Sequence, residues 1–151
     1  MENNVPEVRP SEPALSAAVA ACRKLIEVRF PEPSHRGAAA MLLADGTVLT
    51  GTSPDATNPT VNLCHEVGPY CDAFRLGQPV VASVCLHRDP EGTFRVLSPC
   101  GVCLERLAVH GADVLVAAPQ PTDVKEVQWI TLRAALPHYW MLAFPEELVG
   151  W

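Results

Sequence analysis

Two short cysteine-bearing stretches constrain this chain more than anything else in it: Cys64-His65-Glu66 and Pro99-Cys100-Gly101-Val102-Cys103. The first residues, MENNVPEVRP, lack the basic start and apolar centre of a secretory leader, so a cytoplasmic location is expected and a disulfide framework is not. In a reducing compartment, clustered thiols among six cysteines point first to metal or redox chemistry. A lone C-x-x-C is weak evidence, because redox dithiols and half zinc ribbons share it. A structural zinc completed by a fourth ligand such as His65 or His87 explains the cysteines but leaves Glu66 without a role. If one ion takes Cys64, Cys100 and Cys103, the fold must bring together segments far apart in the chain, with strands between them.

The sequence supplies those strands. Ser11 is placed to cap a helix with Glu12 and Pro13 in its first turn, and Leu15, Val19, Cys22 and Ile26 recur at helical spacing to about Glu27. Residues 37–43 and 47–50 flank Asp45-Gly46, a hairpin signal. Residues 51–62 are turn chemistry throughout. A helix is expected from Cys64 toward Leu76, stopped by Gly77, with a kink or a late start because Pro69 lies only a turn in. Strands are expected over 80–86, 93–97, 113–118 and 124–130, a second helix over 100–109 closed by Gly111, and a short one over 131–136. Residues 1–10 read as a flexible tail and 11–151 as one α/β domain, a sheet layered with helices.

The chemistry gives each position of the cysteine stretches a purpose. Three thiolates fill three corners of a zinc tetrahedron and leave the fourth open, as a catalytic site requires. Water in that corner loses a proton near neutral pH. Glu66, two residues beyond its ligand, reaches such a water without ligating the metal. Both ligand groups fall at expected helix starts, where backbone N–H groups and the helix dipole stabilise thiolates.

Taken together, C-x-E followed by P-C-x-x-C matches the pattern of the zinc deaminases. The chain resembles the cytidine deaminases, and within them the blasticidin S deaminases. AAAMLLADGTVLTG is similar to the family's strand, turn and strand before the substrate loop, VLSPCGVCLERL to the stretch with the second and third ligands, and TLRAALPHYW to the C-terminal helix. The resemblance implies a three-layer α/β/α sandwich around a mixed five-stranded sheet, a Zn2+ cofactor on Cys64, Cys100 and Cys103, and a homotetramer (or a dimer). It implies that zinc-activated water attacks the amine-bearing ring carbon while Glu66 moves protons to the ring nitrogen and to the departing ammonia. Where the family grips ribose with Asn-x-Glu, this chain has Ser53 and Asp55; Asn58 or Asn62 are the nearby substitutes, and His35 takes the place of an aromatic near the base. His65 stands between ligand and Glu where the family has Ala. Ser98 precedes the Pro-Cys pair and is a further candidate for substrate contact. Val67 replaces an Arg after the Glu, and Leu104-Glu105 replace Arg-Gln after the last ligand. The positive charge that offsets a zinc trithiolate is then left to the helix dipoles or to a protonated His65.

The substrate expected is a small amino-heterocycle: a cytidine-like nucleoside, a nucleoside antibiotic or a free base. The net charge of −6 and the lack of clustered Lys and Arg argue against nucleic acid as partner, and for a neutral or cationic ligand. No apolar run is long enough to span a bilayer. A nucleic-acid deaminase and a non-catalytic fold with structural zinc are the alternatives. Cys22 and Cys85 sit on apolar stripes and read as core, as does Cys71, two turns past Cys64. His87, His110 and His138 read as surface or packing residues. Tyr139, Trp140 and Phe144 either line a neighbouring subunit's site or pack locally.

Overall fold

In the computed structural model, which describes residues 9–151, the Ser11 hydroxyl accepts the Ala14 N–H at 3.3 Å and opens helix α1, Glu12–Arg29. Its buried stripe is Leu15, Ala18, Cys22 and Ile26, a three-and-four spacing that keeps one helix face on the sheet. Residues 1–8 of the expected tail lie outside the described residues, while Arg9 and Pro10 line a hollow beside Val81.

Strand β1, Arg36–Leu43, turns at Asp45-Gly46 into β2, Val48–Gly51. The Asp45 carboxylate accepts the Thr47 N–H at 2.9 Å and Gly46 takes the positive φ the turn needs. β1 is buried on both faces: Ala38, Ala40 and Leu42 meet α1, whereas Met41 and Leu43 meet the opposite helical layer. The alanines matter because small side chains let α1 lie close to the strand. That second layer consists of α2, Val67–Leu76, α3, Gly101–Leu107, and the short α4, Leu132–Ala135. Complete burial of a residue such as Ile26 on one side or Leu107 on the other stabilises by about 1.5–3 kcal/mol each.

β3, Val80–Arg88, is the spine of the sheet. One edge pairs antiparallel with β1 from Arg36↔Arg88 to Leu43↔Val80. The other edge is shared. β5, Leu115–Gln120, pairs with it in parallel at Ala82 and Ser83, and β4, Phe94–Leu97, pairs antiparallel further along, from Cys85↔Leu97 to Arg88↔Phe94. β6, Asp123–Thr131, closes the order β2-β1-β3-β5-β6. The sheet therefore has six strands rather than five. β4 is the addition, held by a turn in which the Asp89 carboxylate accepts the N–H groups of Glu91 and Thr93. The sandwich is three-layered, and no helix among the described residues is long and apolar enough to cross a membrane.

Candidate active site

The strand order explains how two distant cysteine stretches meet. β4 delivers Ser98-Pro99-Cys100 to the start of α3, and β2 ends against the turn before α2. A side-chain carbon on Gly51 would lie 2.5 Å from Pro69 Cδ and 3.0 Å from the His65 carbonyl, so only glycine lets β2 seat that turn. Pro69 delays the helix: α2 begins at Val67, and Cys64 stands in the preceding turn rather than in the helix as expected. Cys100 caps α3 and Cys103 is in its first turn.

The three sulfurs lie within 4.8 Å of one another, and the Cys64 and Cys100 sulfurs are 3.5 Å apart. Zinc–sulfur bonds of about 2.3 Å at tetrahedral angles require sulfurs about 3.8 Å apart, so the donor set fits zinc. Cys103 is buried, Cys64 half-buried and Cys100 exposed, which leaves the cluster open on one side. Burial raises the Cys64 and Cys103 thiols, and the Glu66 carboxylate adds to both. At Cys100 burial acts in the same sense but is outweighed by the backbone N–H groups of Cys103 and Val102 and by the neighbouring thiols, which together lower it.

Glu66 is 5% exposed, and no described residue donates a hydrogen bond to its carboxylate. Its lone pairs are free for a water or a substrate proton beside the sulfurs.

His65 has a different part from the one expected. Its Nδ1 accepts the Ser53 N–H at 2.8 Å, and its Nε2 lies against Gly37, where an added side-chain carbon would come within 2.5 Å. Burial, and then His87, lower its pKa. The ring is neutral, ties the 52–55 loop to β1, and supplies no positive charge to the cluster. That charge comes from Arg106, whose Nη1 is 3.9 Å from Cys103 Sγ. Arg106 lies three residues after Cys103, a helical neighbour that inspection of positions 104 and 105 passes over. Replacing Arg106 with Gln is expected to weaken zinc binding by about 10–100-fold while helix content stays unchanged, read by competition against a chelating indicator.

A cavity of about 280 Å³, lined among others by His35, Arg36, Ser53, Asp55, His65 and His87, is tied to the cysteines through the chain, since Asn62 and His65 on either side of Cys64 line it while Glu66 and the cysteines do not. The structure thus gathers His35, Ser53, Asp55 and His65 around one space, with Asn62 beside them. Two further candidates lie outside it. Asn58 caps the 3-10 turn Pro59–Val61, its Oδ1 accepting from the Thr60 N–H and hydroxyl at 3.1 and 2.8 Å. Ser98 lines a separate apolar hollow with Pro99 and Leu104. Two lining residues were not anticipated: Arg36, whose Nη1 is 2.7 Å from Asp55 Oδ1, and His87, whose Nε2 is 3.2 Å from His35 Nδ1.

Cys22 and Cys85 are buried as expected, but Cys71 is exposed, because α2 buries Pro69 and Ala73 on its other face. Glu105 accepts hydrogen bonds from Tyr139 Oη at 2.9 Å and from Trp140 Nε1 at 3.2 Å, fastening the C-terminal segment onto α3. Tyr139 is buried and stacks on Trp151, whereas Trp140 and Phe144 stay exposed.

Neither a scan against protein-family models nor a search of curated proteins finds a match. Solved structures do match. The cytidine deaminase of Bacillus anthracis is 33% identical, covering 89% of this chain and 94% of its own, at a TM-score of 0.82. The chain belongs to the cytidine deaminase superfamily. The cytidine deaminase of Mycobacterium leprae, 26% identical over 82% of this chain and 93% of its own, has a TM-score of 0.57. A mutant form of the Mycobacterium tuberculosis cytidine deaminase, 25% identical over 82% and 92%, has a TM-score of 0.63. Family and geometry agree on a deaminase-type hydrolase with a three-cysteine site able to hold a metal.

Proposed function

We propose that the protein is a zinc-dependent hydrolytic deaminase that converts a small amino-heterocycle to its oxo form and releases ammonia. The observation that carries this is the buried, uncommitted Glu66 carboxylate beside three converging sulfurs, on the framework of a 33% identical cytidine deaminase. When bound, zinc supplies Lewis acidity at an open fourth corner, which makes water acidic enough to serve as nucleophile near neutral pH. Glu66 would accept a first proton from the water and pass it to the ring nitrogen next to the amine-bearing carbon, then take the remaining hydroxyl proton and deliver it to the amine as the C–N bond breaks and the C=O forms. The sum is C–NH2 plus H2O giving C=O plus NH3, with Glu66 returned to its starting form. Arg106 offsets the charge of three thiolates, and His65 holds the loop that walls the cavity.

Cytidine-like nucleosides and nucleoside antibiotics such as blasticidin S are the substrate classes proposed. A cytoplasmic location is proposed, since cysteines clustered as for a metal stay thiols in a reducing compartment. A homotetramer is proposed, supported by exposed apolar side chains near α3, namely Val102, Val109 and Trp140. The test is purification, metal analysis, sedimentation, and ammonia release from cytidine, deoxycytidine, cytosine, blasticidin S and guanine. One zinc per chain with turnover of any member supports the reading; absence of zinc from protein prepared with zinc present overturns it.

A further inference from the structure

We propose that Arg36 is a specificity-determining residue that recognises a carboxylate on the substituent of the heterocycle, a role now filled by Asp55. This rests on the deaminase reading and names its substrate class more closely. Asn62 and His65 flank Cys64 in sequence and line the same cavity as Arg36, which puts the guanidinium in a space reached from the cysteine stretch through its own neighbours.

The guanidinium is already arranged to receive a carboxylate. Nη1 donates to Asp55 Oδ1 at 2.7 Å and Nη2 to Oδ2 at 3.4 Å, the two-pronged pattern that arginine forms with planar anions. Its central carbon sits 4.8 Å from the Phe30 ring centroid, a stack that fixes its plane. Buried Arg88, opposite Arg36 in the β1–β3 register, donates to the carbonyls of Phe30 and Glu32 and steadies that segment. The support is stiff and the ligand it holds is not. The Asp55 side chain is 82% exposed against 35% for Arg36, and an exposed ion pair is easily exchanged.

Arg36 is the arginine that lines the cavity; Arg29 lies near enough to help lower the Asp55 carboxylate, while Arg95 is paired with Asp89 at 3.4 Å. His35 and His87 share one N–H between facing nitrogens, so one ring donates and the other accepts.

The probes are cytidine, its 5′-carboxylate (CH2OH replaced by COO−) and its 5′-monophosphate. Calorimetry on zinc-loaded Glu66→Gln protein reads binding without turnover, and ammonia release by the unmodified protein reads kcat/KM. The carboxylate is expected to bind about tenfold tighter than cytidine. In Arg36→Gln that ratio is expected to collapse toward one, and in Arg36→Lys to fall partway, since Lys keeps the charge without the fork. Asp55→Asn decides the matter by sign: removing the competing carboxylate should strengthen binding of the acid by about threefold. A merely structural Arg36–Asp55 pair predicts the opposite. Equal or tighter binding of cytidine, weaker binding of the acid to Asp55→Asn, preference for the monophosphate, or no binding of any probe would each overturn the proposal. Absence of ammonia from every probe counts against the deaminase reading instead, while the binding ratios still decide this one.

Discussion

Glu66→Gln is expected to remove nearly all turnover, about 10²–10⁴-fold in kcat, while the protein keeps its zinc. The change is nearly isosteric, so packing around a side chain that is 5% exposed is preserved. What disappears is a group able to take a proton at one atom and return it at another. Because Glu66 ligates nothing, metal content does not depend on it. The charge argument makes the metal prediction sharper. The carboxylate raises the neighbouring Cys64 and Cys103 thiols, so its neutral replacement eases thiolate formation, and zinc affinity should hold or rise slightly. A structural zinc protein with incidental activity would show turnover indifferent to this substitution. That result, with zinc retained, would sink the catalytic assignment.

How far the sequence carries depends on the range of the interaction concerned. Ser11 capping α1, Asp45-Gly46 turning β1 into β2, and Gly77 ending α2 are decided within a few residues, and all were legible. The cysteine convergence was legible because a three-thiolate metal site requires two distant segments to meet. What was not legible is of another kind. Asn58, just before Pro59, caps a turn by accepting the Thr60 N–H, which its polarity alone does not reveal. Cys71 was judged by its distance from Cys64, whereas the buried face of α2 is set by Ala73 meeting the sheet. His65 has its charge state decided by burial between β1 and the loop, and no adjacent residue announces it. Arg36 and Asp55 meet across two elements, so their pairing exists only once β1 and the loop are in register. Sequence located the three cysteines that converge; tertiary contacts decide what lies around them.

Replacing a single ligand, Cys103→Ser, should abolish both zinc retention and ammonia release, and stripping zinc from the unmodified protein should have the same consequences. Zinc binds the folded cluster and has far less affinity for an unfolded chain, so at a thousandfold excess over its Kd it stabilises by about 4 kcal/mol. For a domain of this size that corresponds to a fall of roughly 8–16 °C in Tm on chelation, restored by adding zinc back. Cys71→Ser is the matched control: its thiol is exposed on the far side of α2, and neither Tm nor zinc content should move. Acidity should imitate chelation. Of the three thiols only Cys100 is lowered, while Cys64 and Cys103 are raised, so zinc uptake must release protons and affinity must fall as pH falls. Titrating zinc in buffers of different ionisation enthalpy would count those protons. Cys103→Ser protein that still holds one tightly bound zinc per chain would show that the ion sits elsewhere, and the three-cysteine site would have to be abandoned.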